Sequence, residues 1–269
     1  ASLDAVSFTA TLETTQEGST VETPAKPQRT LVVDYSDGAT DLTVADGASG
    51  FKLGMDGADG ELLEARGTLN LDIAGFVAVQ GDFGISSRTE TVTLSNGDSL
   101  ATDVLTIGGT GLNAFAGVNG GYDADGNLLD SALGLSLSDV ELGIALISEQ
   151  LTGLEPEGTE ARNWTTVQAT VGSAAVVGID GIGIQVGDVG LAVNQAAEDG
   201  TVVDYALTAA TDDGDAGVTD LQVATGPSSD LTLDLDGSAG ELTRLTGHLD
   251  IDLFGVVTLS GNLGIESRQ

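Results

Sequence analysis

The stretch LDIAGFVAVQGDFGISSR, residues 71–88, recurs as IDLFGVVTLSGNLGIESR at residues 251–268. The two stretches lie 180 residues apart and are identical at 8 of 18 positions. The identical positions include the pairs Asp72/Asp252, Gly75/Gly255, Gly81/Gly261, Gly84/Gly264 and Arg88/Arg268. Apolar residues alternate with polar ones in both copies, which places them on one face of a pleated strand, and the glycines mark turns. The pattern predicts a strand–turn–strand unit that the chain contains twice.

The similarity extends beyond this unit. Residues 51–88 match residues 231–268 without a gap at 16 of 38 positions, and DLTVADG (41–47) matches DLQVATG (220–226). We therefore expect residues 1–88 to be the C-terminal part of one repeat. Residues 89–269 then form one complete repeat of about 180 residues, continuous with the first. On this interpretation the chain is a window from a longer array.

The rest of the chain also alternates with a period of two, in TLNLDI, TVTLSNG, LGLSLSDV, IGIQVG, LTLDLDG and HLDIDL. Only ELLEAR (61–66) has a helical pattern, and six residues are too few for a stable helix. Shorter related segments, DVELGIAL (139–146) and DVGLAVNQ (188–195), suggest strand modules that recur within the repeat. We predict an all-β chain with essentially no long helix. Its architecture is either an elongated β-solenoid or a stacked β-sandwich repeat array, and the elongated form is slightly favoured.

Composition limits the partners. Asp and Glu outnumber Lys and Arg by 42 to 8, for a net charge of −34. Nucleic acid is excluded as a partner because phosphate binding requires clustered cations. The chain lacks cysteine, which removes disulfides and thiolate chemistry. The chain contains no run of 18 apolar residues, so the sequence predicts no insertion into a membrane.

Little in the sequence points to catalysis. The single histidine, His248, lies in a strand pattern, and its equivalent in the first copy is Thr68. We expect His248 to be an exposed strand residue, and without a second histidine no Ser–His triad can form elsewhere. The prediction is that the protein is not an enzyme and that it has no catalytic or cofactor-binding residues.

Metal binding is the one site chemistry that the sequence favours. GGYDADGNLLD (120–130) places alternating oxygen ligands on a Gly-containing turn, a pattern that suits Ca²⁺ but equally suits an ordinary hairpin turn. DGADGE (56–61) is a second acidic turn, of which only the first and last acids recur, as Asp236 and Glu241. The candidate calcium ligands are Asp123, Asp125, Asn127 and Asp130 in the first turn, and Asp56, Asp59 and Glu61 in the second.

Three phrases, LDIAGFVAVQGDFGI, VLTIGGTGLNAFAGVNGG and LGLSLSDVELGIALI, resemble a tandem repeat of giant bacterial secreted or surface proteins. Such proteins carry these repeats beside calcium-roll sequences and other adhesin-like segments. The resemblance implies an extracellular or cell-surface location, a structural or adhesive role and no enzymatic activity.

The expected function is a structural or adhesive module in a stalk, fibre or adhesin, with calcium as a stiffening ion. Its partners would be neighbouring repeats or copies of itself. The sequence does not identify a surface receptor or glycan. One alternative is a self-assembling filament subunit joined by β-strand complementation. Another is a carbohydrate-binding β protein, which the ten aromatic residues do not favour. Arg88 and Arg268 are expected to pair with local carboxylates at the boundary between repeats.

Overall fold

The computed structural model divides the chain into two compact units. One consists of Ala1–Leu62 with Thr152–Leu154, and the other of Leu63–Leu151 with Glu155–Gln269. The structure describes residues 32–35, 43–44, 51–52, 54–57, 60–156, 158–206 and 221–268.

Strands account for nearly all of the regular structure in these ranges. A short pair, β1 (Thr43–Val44) and β2 (Phe51–Lys52), belongs to the first unit. The long strands are β3 (Leu62–Ile73), β4 (Val77–Thr93), β5 (Ser99–Val118), β6 (Leu133–Glu149), β7 (Asn163–Val177), β8 (Ile182–Gln195), β11 (Leu242–Leu253) and β12 (Val257–Arg268). A hairpin of β9 (Leu221–Gly226) and β10 (Ser229–Leu233) precedes a single 3₁₀ turn, Gly237–Ala239.

The eight long strands form one sheet in the order β12–β11–β8–β7–β6–β5–β4–β3. The order follows the sequence, and the sheet is an antiparallel meander interrupted only between β8 and β11, where the β9–β10 hairpin is inserted. The two copies of the repeated motif therefore lie at opposite ends of the sheet. The first copy forms β3 and β4, and the second forms β11 and β12.

Irregular backbone crosses the middle of the sheet from strand to strand. The pairing register shifts at Gln80/Asp82 in β4, at Gly109/Leu112 in β5 and at Thr246/His248 in β11. Left-handed φ values occur beside these shifts, at Gly111, Asp139 and Asp188. Such bulges increase local twist and re-aim the strand. Asp139 and Asp188 begin the two related segments noted in the sequence, so the internal similarity includes a shared bend.

On one side of this line the β9–β10 hairpin covers the sheet. The sheet beneath it carries no side chains at three positions, because Gly84, Gly108 and Gly143 are directly opposite one another in β4, β5 and β6. A Cβ at Gly84 would lie 2.5 Å from the Ala224 carbonyl oxygen of β9, and a Cβ at Gly108 would meet the same atom. A Cβ at Gly143 would lie 2.7 Å from a Leu231 methyl of β10. We call these three residues the glycine row.

The main hydrophobic core surrounds the glycine row. It joins the sheet to the hairpin and to the segment that follows β8. Its buried members are Val92, Leu94, Val104, Ala145, Ile147, Trp164, Ala197, Val203, Tyr205, Leu221, Val223 and Leu233. A smaller cluster of Ala78, Phe115 and Ala132 lies on the other side of the bulges. Each burial of a large apolar side chain contributes about 1.5–3 kcal/mol, so the main core carries most of the stability.

Buried polar groups in the main core are paired. The Tyr205 hydroxyl donates to Thr166 Oγ1 at 2.8 Å, and Asn194 Nδ2 donates to the Val203 carbonyl oxygen at 2.8 Å. Burial raises the pKa of Tyr205, so the phenol stays a neutral donor. The Trp164 indole donates to the Thr201 carbonyl oxygen at 2.9 Å. These bonds attach the segment after β8 to strands β7 and β8.

The β1–β2 pair has the register of the β9–β10 hairpin. Thr43 is opposite Lys52 and Val44 is opposite Phe51. The repeat alignment equates these with Gln222 opposite Thr232 and Val223 opposite Leu231, which are partners in β9–β10. The two hairpins therefore correspond in backbone pairing as well as in sequence.

The prediction of an all-β chain is confirmed. Four of the six alternating segments named from the sequence lie within strands, and TVTLSNG and LTLDLDG extend beyond the ends of β4 and β10. No α-helix occurs in the described ranges, and none of their helical segments is long and apolar enough to cross a membrane. ELLEAR is not helical: β3 begins at Leu62, because pairing with β4 outweighs a weak local preference. Strand β4 runs without interruption through residues 88 and 89, where the sequence places the end of the first repeat.

We expect Gly84→Val to lower the free energy of unfolding by about 2–3 kcal/mol, since the new side chain must displace the backbone of β9. Gly264→Val is the matched control. It is the equivalent glycine of the second copy, and the nearest atom that a Cβ there would meet outside its chain neighbours is the Leu245 carbonyl oxygen at 4.0 Å. Its change in the free energy of unfolding should stay within about 0.5 kcal/mol. Urea unfolding followed by circular dichroism measures both, and equal losses would contradict this account of the glycine row.

Candidate functional site

The repeated motif builds the same turn twice. In the first copy the Phe76 amide donates to the Ile73 carbonyl oxygen at 2.9 Å, and the Gly75 amide donates to Asp72 Oδ1 at 2.9 Å. The second copy has the equivalent bonds, at 3.0 Å from Val256 to Leu253 and at 2.8 Å from Gly255 to Asp252. Both central residues of each turn have positive φ, as two-residue hairpin turns of type I′ require. The recurrence of Asp and Gly is thus explained by turn geometry.

In the first copy, the recurring glycines are crowded by the rest of the fold. A Cβ at Gly75 would lie 3.3 Å from the Gly120 carbonyl oxygen, and one at Gly81 would lie 2.8 Å from the Gly111 carbonyl oxygen. Gly84 lies under β9. Strand β4 also pairs with β5 along its length, from Val77 opposite Ala116 to Thr93 opposite Ser99. The glycines of this copy are therefore needed for close approach of β5, its following loop and β9.

In the second copy the same positions are open. No described atom outside their immediate neighbours lies within 4 Å of a Cβ at Gly255 or Gly261, and the nearest to one at Gly264 is at 4.0 Å. Strand β12 is the last strand of the sheet, and nearly all of its residues are exposed. Ile265 is 67% exposed and Leu259 is 57% exposed. Within the described part of the chain, the surface that β4 uses for packing is uncovered in β12.

The arginines of the two copies differ in the same way. Arg88 forms an ion pair with Glu90 at 2.6 Å and donates to the Gln222 carbonyl oxygen of β9 at 3.0 Å. Arg268 pairs with Glu266 in its own strand at 2.6 Å. Both arginines thus have local carboxylate partners, as the sequence predicts. Only Arg88 also holds the hairpin, with help from Arg66, which pairs with Asp230 of β10 at 2.8 Å.

An apolar row extends across the sheet to the open strand. Residues directly opposite each other share a face, and one such row runs from strand to strand from β4 to β12. Its members are Val77, Ala116, Leu135, Val176, Ile184, Ile251 and Leu259. The row ends at the unpaired edge of β12, where Leu259 is largely exposed. Apolar surface that reaches a sheet edge is typical of a surface that receives another strand.

The first calcium candidate is a tight turn that Asp123 holds together. Its Oδ1 accepts the Asp125 amide at 2.9 Å and the Asn127 amide at 2.8 Å. These donors lower the pKa of Asp123, with the Asn127 amide as the largest cause. Gln80 of β4 donates to the Gly126 carbonyl oxygen at 2.8 Å and attaches the turn to the sheet. Asp125 and Asp130 are exposed at its surface.

The second calcium candidate is described only in part. Asp56 and Glu61 are exposed, whereas Asp59 lies outside the described residues. In the second copy, Asp236 Oδ1 accepts the Ser238 amide at 2.8 Å and begins the 3₁₀ turn. Gly60 and Gly240 have nearly the same φ, 68° and 69°, so both copies leave this turn in the same backbone conformation. The acid that recurs has a structural role as a cap in the second copy.

Among the described residues, no three acidic or histidine side chains converge on one point as metal ligands. Asp123, Asp125 and Asn127 lie in one turn, but Asp123 directs its Oδ1 at backbone amides of the turn itself. Calcium binding by these turns remains a prediction, and the ion would have to recruit water and exposed carboxylates.

The single histidine makes contacts across two strands. His248 Nδ1 lies 2.7 Å from Asn262 Oδ1, and Nε2 lies 2.9 Å from Ser260 Oγ. Asp250 approaches the same Nε2 at 3.6 Å, and it is not positioned as the third member of a Ser–His–Asp triad, which would bind Nδ1. In the first copy Thr68 Oγ1 donates to Asp82 at 2.7 Å, and Asp82 is the equivalent of Asn262. The geometry therefore favours a cross-strand contact retained between copies.

The glycine row is the functional feature that sequence reasoning missed. Gly84 is marked by its recurrence as Gly264, but nothing in the sequence singles out Gly108 or Gly143 among 39 glycines. The one available signal is general: a glycine inside a strand often marks a close backbone approach, and most long strands of this chain contain one.

No known protein family, curated protein or solved structure matches the chain.

We expect Arg88→Ala to lower the free energy of unfolding by about 1–2 kcal/mol, because it removes an ion pair and a charged hydrogen bond to β9. Arg268→Ala should change it by less than about 0.5 kcal/mol, since an exposed ion pair within one strand contributes little. Chemical denaturation of the two variants gives the comparison. Equal effects would show that Arg88 does not hold the hairpin.

If the Asp123 turn binds calcium, saturating Ca²⁺ should raise the melting temperature by roughly 5–10 °C over the same protein in EDTA, as expected for about 2–3 kcal/mol of linked binding. The double variant Asp125→Asn/Asp130→Asn should lose most of this shift, while Asp123 is kept because it holds the turn. Differential scanning calorimetry in low salt, with Mg²⁺ as the ionic control, measures the shift. A melt that does not respond to Ca²⁺ leaves the turn a purely structural one.

Proposed function

We propose that the protein is a structural repeat module of a large extracellular bacterial protein, part of a stalk, fibre or adhesin, in which one β-sheet continues from repeat to repeat. One observation carries this proposal. The motif at residues 71–88 and its copy at residues 251–268 lie at the two opposite ends of a single sheet. On this proposal, each repeat is related to the next by a translation across the strands of the sheet.

The period of this translation follows from the strand order. From β3 to its equivalent β11 there are six strands, β3 to β8, in the sheet. At about 4.8 Å between strands, each repeat advances the sheet by roughly 29 Å. Such an array grows sideways without limit, and for this reason we favour the elongated architecture over a series of closed sandwiches.

The exposed edges support an array. Both end strands, β3 and β12, are long and carry exposed apolar residues, among them Leu63 at 62% exposure. Natural proteins usually cover, shorten or charge such edges because they otherwise aggregate. A neighbouring repeat on each side covers both edges at once.

The acidic surface suits an extracellular array. Its charge keeps long assemblies soluble, and the few described arginines are used in ion pairs, for example Arg162 between Glu149 at 2.8 Å and Asp199 at 3.0 Å. Repulsion among the remaining carboxylates is a reason for calcium to stiffen the array. No catalytic role is part of this proposal, and the extracellular location rests on the resemblance alone.

A self-assembling filament subunit is the second candidate. Strands alternate in direction through an even number of strands, so β12 of one copy and β3 of another would pair antiparallel. Separate chains could therefore join end to end by strand complementation. Sedimentation at high protein concentration distinguishes the two: large oligomers support the filament, and a monomer supports the tandem array.

The array proposal is tested with an extended chain, in which residues 89–268 follow Arg268 a second time. We expect X-ray scattering to show a sheet that is wider by roughly 29 Å across its strands, which is the direction in which each repeat adds. Its urea midpoint should also rise, because each added repeat brings a nearest-neighbour interface. An unchanged width, or a lower midpoint, would contradict a continuous sheet.

A further inference from the structure

We propose that β12 is the docking surface for the following copy of the repeat. Its free edge receives the strand equivalent to β5, and its face receives the hairpin equivalent to β9–β10. This inference rests on the proposed function and specifies how one repeat recognises the next. The occupant is identified by β4, the equivalent strand, whose neighbours are present in the structure.

The residues that β4 uses for this packing are those that β12 retains. Gly84 receives the Ala224 carbonyl oxygen of β9, and Arg88 donates to the neighbouring Gln222 carbonyl oxygen. Their equivalents are Gly264 and Arg268. Gly81, which is crowded by the backbone of β5, is retained as Gly261.

In β12 the strand glycines have no local explanation. Glycine inside a strand loses more backbone entropy than other residues and contributes no side-chain packing, so it destabilises the strand. In β4 close backbone contacts compensate for this loss. Gly261 and Gly264 have positions open to solvent and ordinary strand conformation, with no left-handed φ at either. Docking of a hairpin and a strand is the interaction that would compensate for them.

The second copy differs from the first at one important position. Glu266 replaces Ser86, which is buried beside Thr106 of β5 at 2.8 Å. Glu266 is paired with Arg244 at 2.7 Å and with Arg268 at 2.6 Å, and these partners lower the pKa of its carboxyl. The two arginines thus compensate the negative charge of Glu266 even when no strand is docked on β12.

The chain itself shows that the docking hairpin recurs with the repeat. The β1–β2 pair has the sequence match and the register of β9–β10. Each repeat therefore brings one hairpin. In the single case where the covered sheet is described, the hairpin lies on β4, β5 and β6, and two further strands, β7 and β8, separate it from them in the chain. The hairpin of a following repeat would cover β12 and the two strands after it.

The extended chain tests the docking surface by hydrogen exchange. In the original chain, the β12 amides that face the free edge should exchange rapidly. In the extended chain they should exchange at least about 100-fold more slowly, because a β5-equivalent strand accepts them. Gly264→Val should leave the original chain's urea midpoint unchanged but lower that of the extended chain. Arg268→Ala should also lower the urea midpoint of the extended chain, by a smaller amount. Because this substitution adds no bulk, its effect does not come from a steric clash.

The outcomes separate this inference from the function it rests on. An extended chain that widens as expected, but leaves β12 unprotected and insensitive to Gly264→Val, keeps the array and overturns the docking surface. An extended chain that does not widen overturns the array itself. Concentration-dependent filaments of the original chain, with β12 protected in them, would show that β12 pairs with β3 of another copy and also overturn the inference. The inference is supported if the β12 amides are protected in the extended chain and Gly264→Val lowers the urea midpoint of that chain alone.

Discussion

The approach of β9 to the glycine row determines much of this structure. A carbonyl oxygen of Ala224 occupies the space where Gly84 and Gly108 would carry side chains. This contact lets a two-stranded hairpin lie directly on a sheet and enclose the main core, including Trp164 and Leu233. Any side chain in the row would lift the hairpin and expose that core. The constraint is steric, and three positions on adjacent strands must satisfy it together.

The same constraint gives the internal repeat its physical meaning. Gly84 is constrained by β9, whereas its equivalent Gly264 is not constrained by any described atom. Two identical residues thus occur in opposite environments within one chain. The contrast also holds for Arg88 and Arg268, and for the strand edges of β4 and β12. An open copy of an occupied surface indicates what should occupy it.

The bulges explain how very long strands remain compatible with a compact core. Strand β5 has 20 residues and extends about 65 Å, far more than the hairpin can cover. Left-handed residues at Gly111, Asp139 and Asp188 bend the sheet between the main core and the smaller cluster. Asp, like Asn, tolerates this conformation better than most non-glycine residues. The acidic composition therefore serves the backbone as well as solubility, as does the cap that Asp123 provides in its turn.

The sequence by itself determined the all-β class, parts of six of the eight long strands and the recurring turn, because these depend on local periodicity and on Asp–Gly turn chemistry. It also identified Gly84 and Arg88 through their recurrence. It did not mark β5 or β7. It did not determine that both copies of the motif lie in one sheet, or that Gly108 and Gly143 align with Gly84. Pairing register and the approach of the hairpin depend on contacts between residues that are far apart in the sequence, such as Gly84 and Ala224. Only the tertiary structure decided which copy of the motif is covered and which is open. The reason is that identical strands differ only in their neighbours, and neighbours are fixed by packing and not by the local sequence.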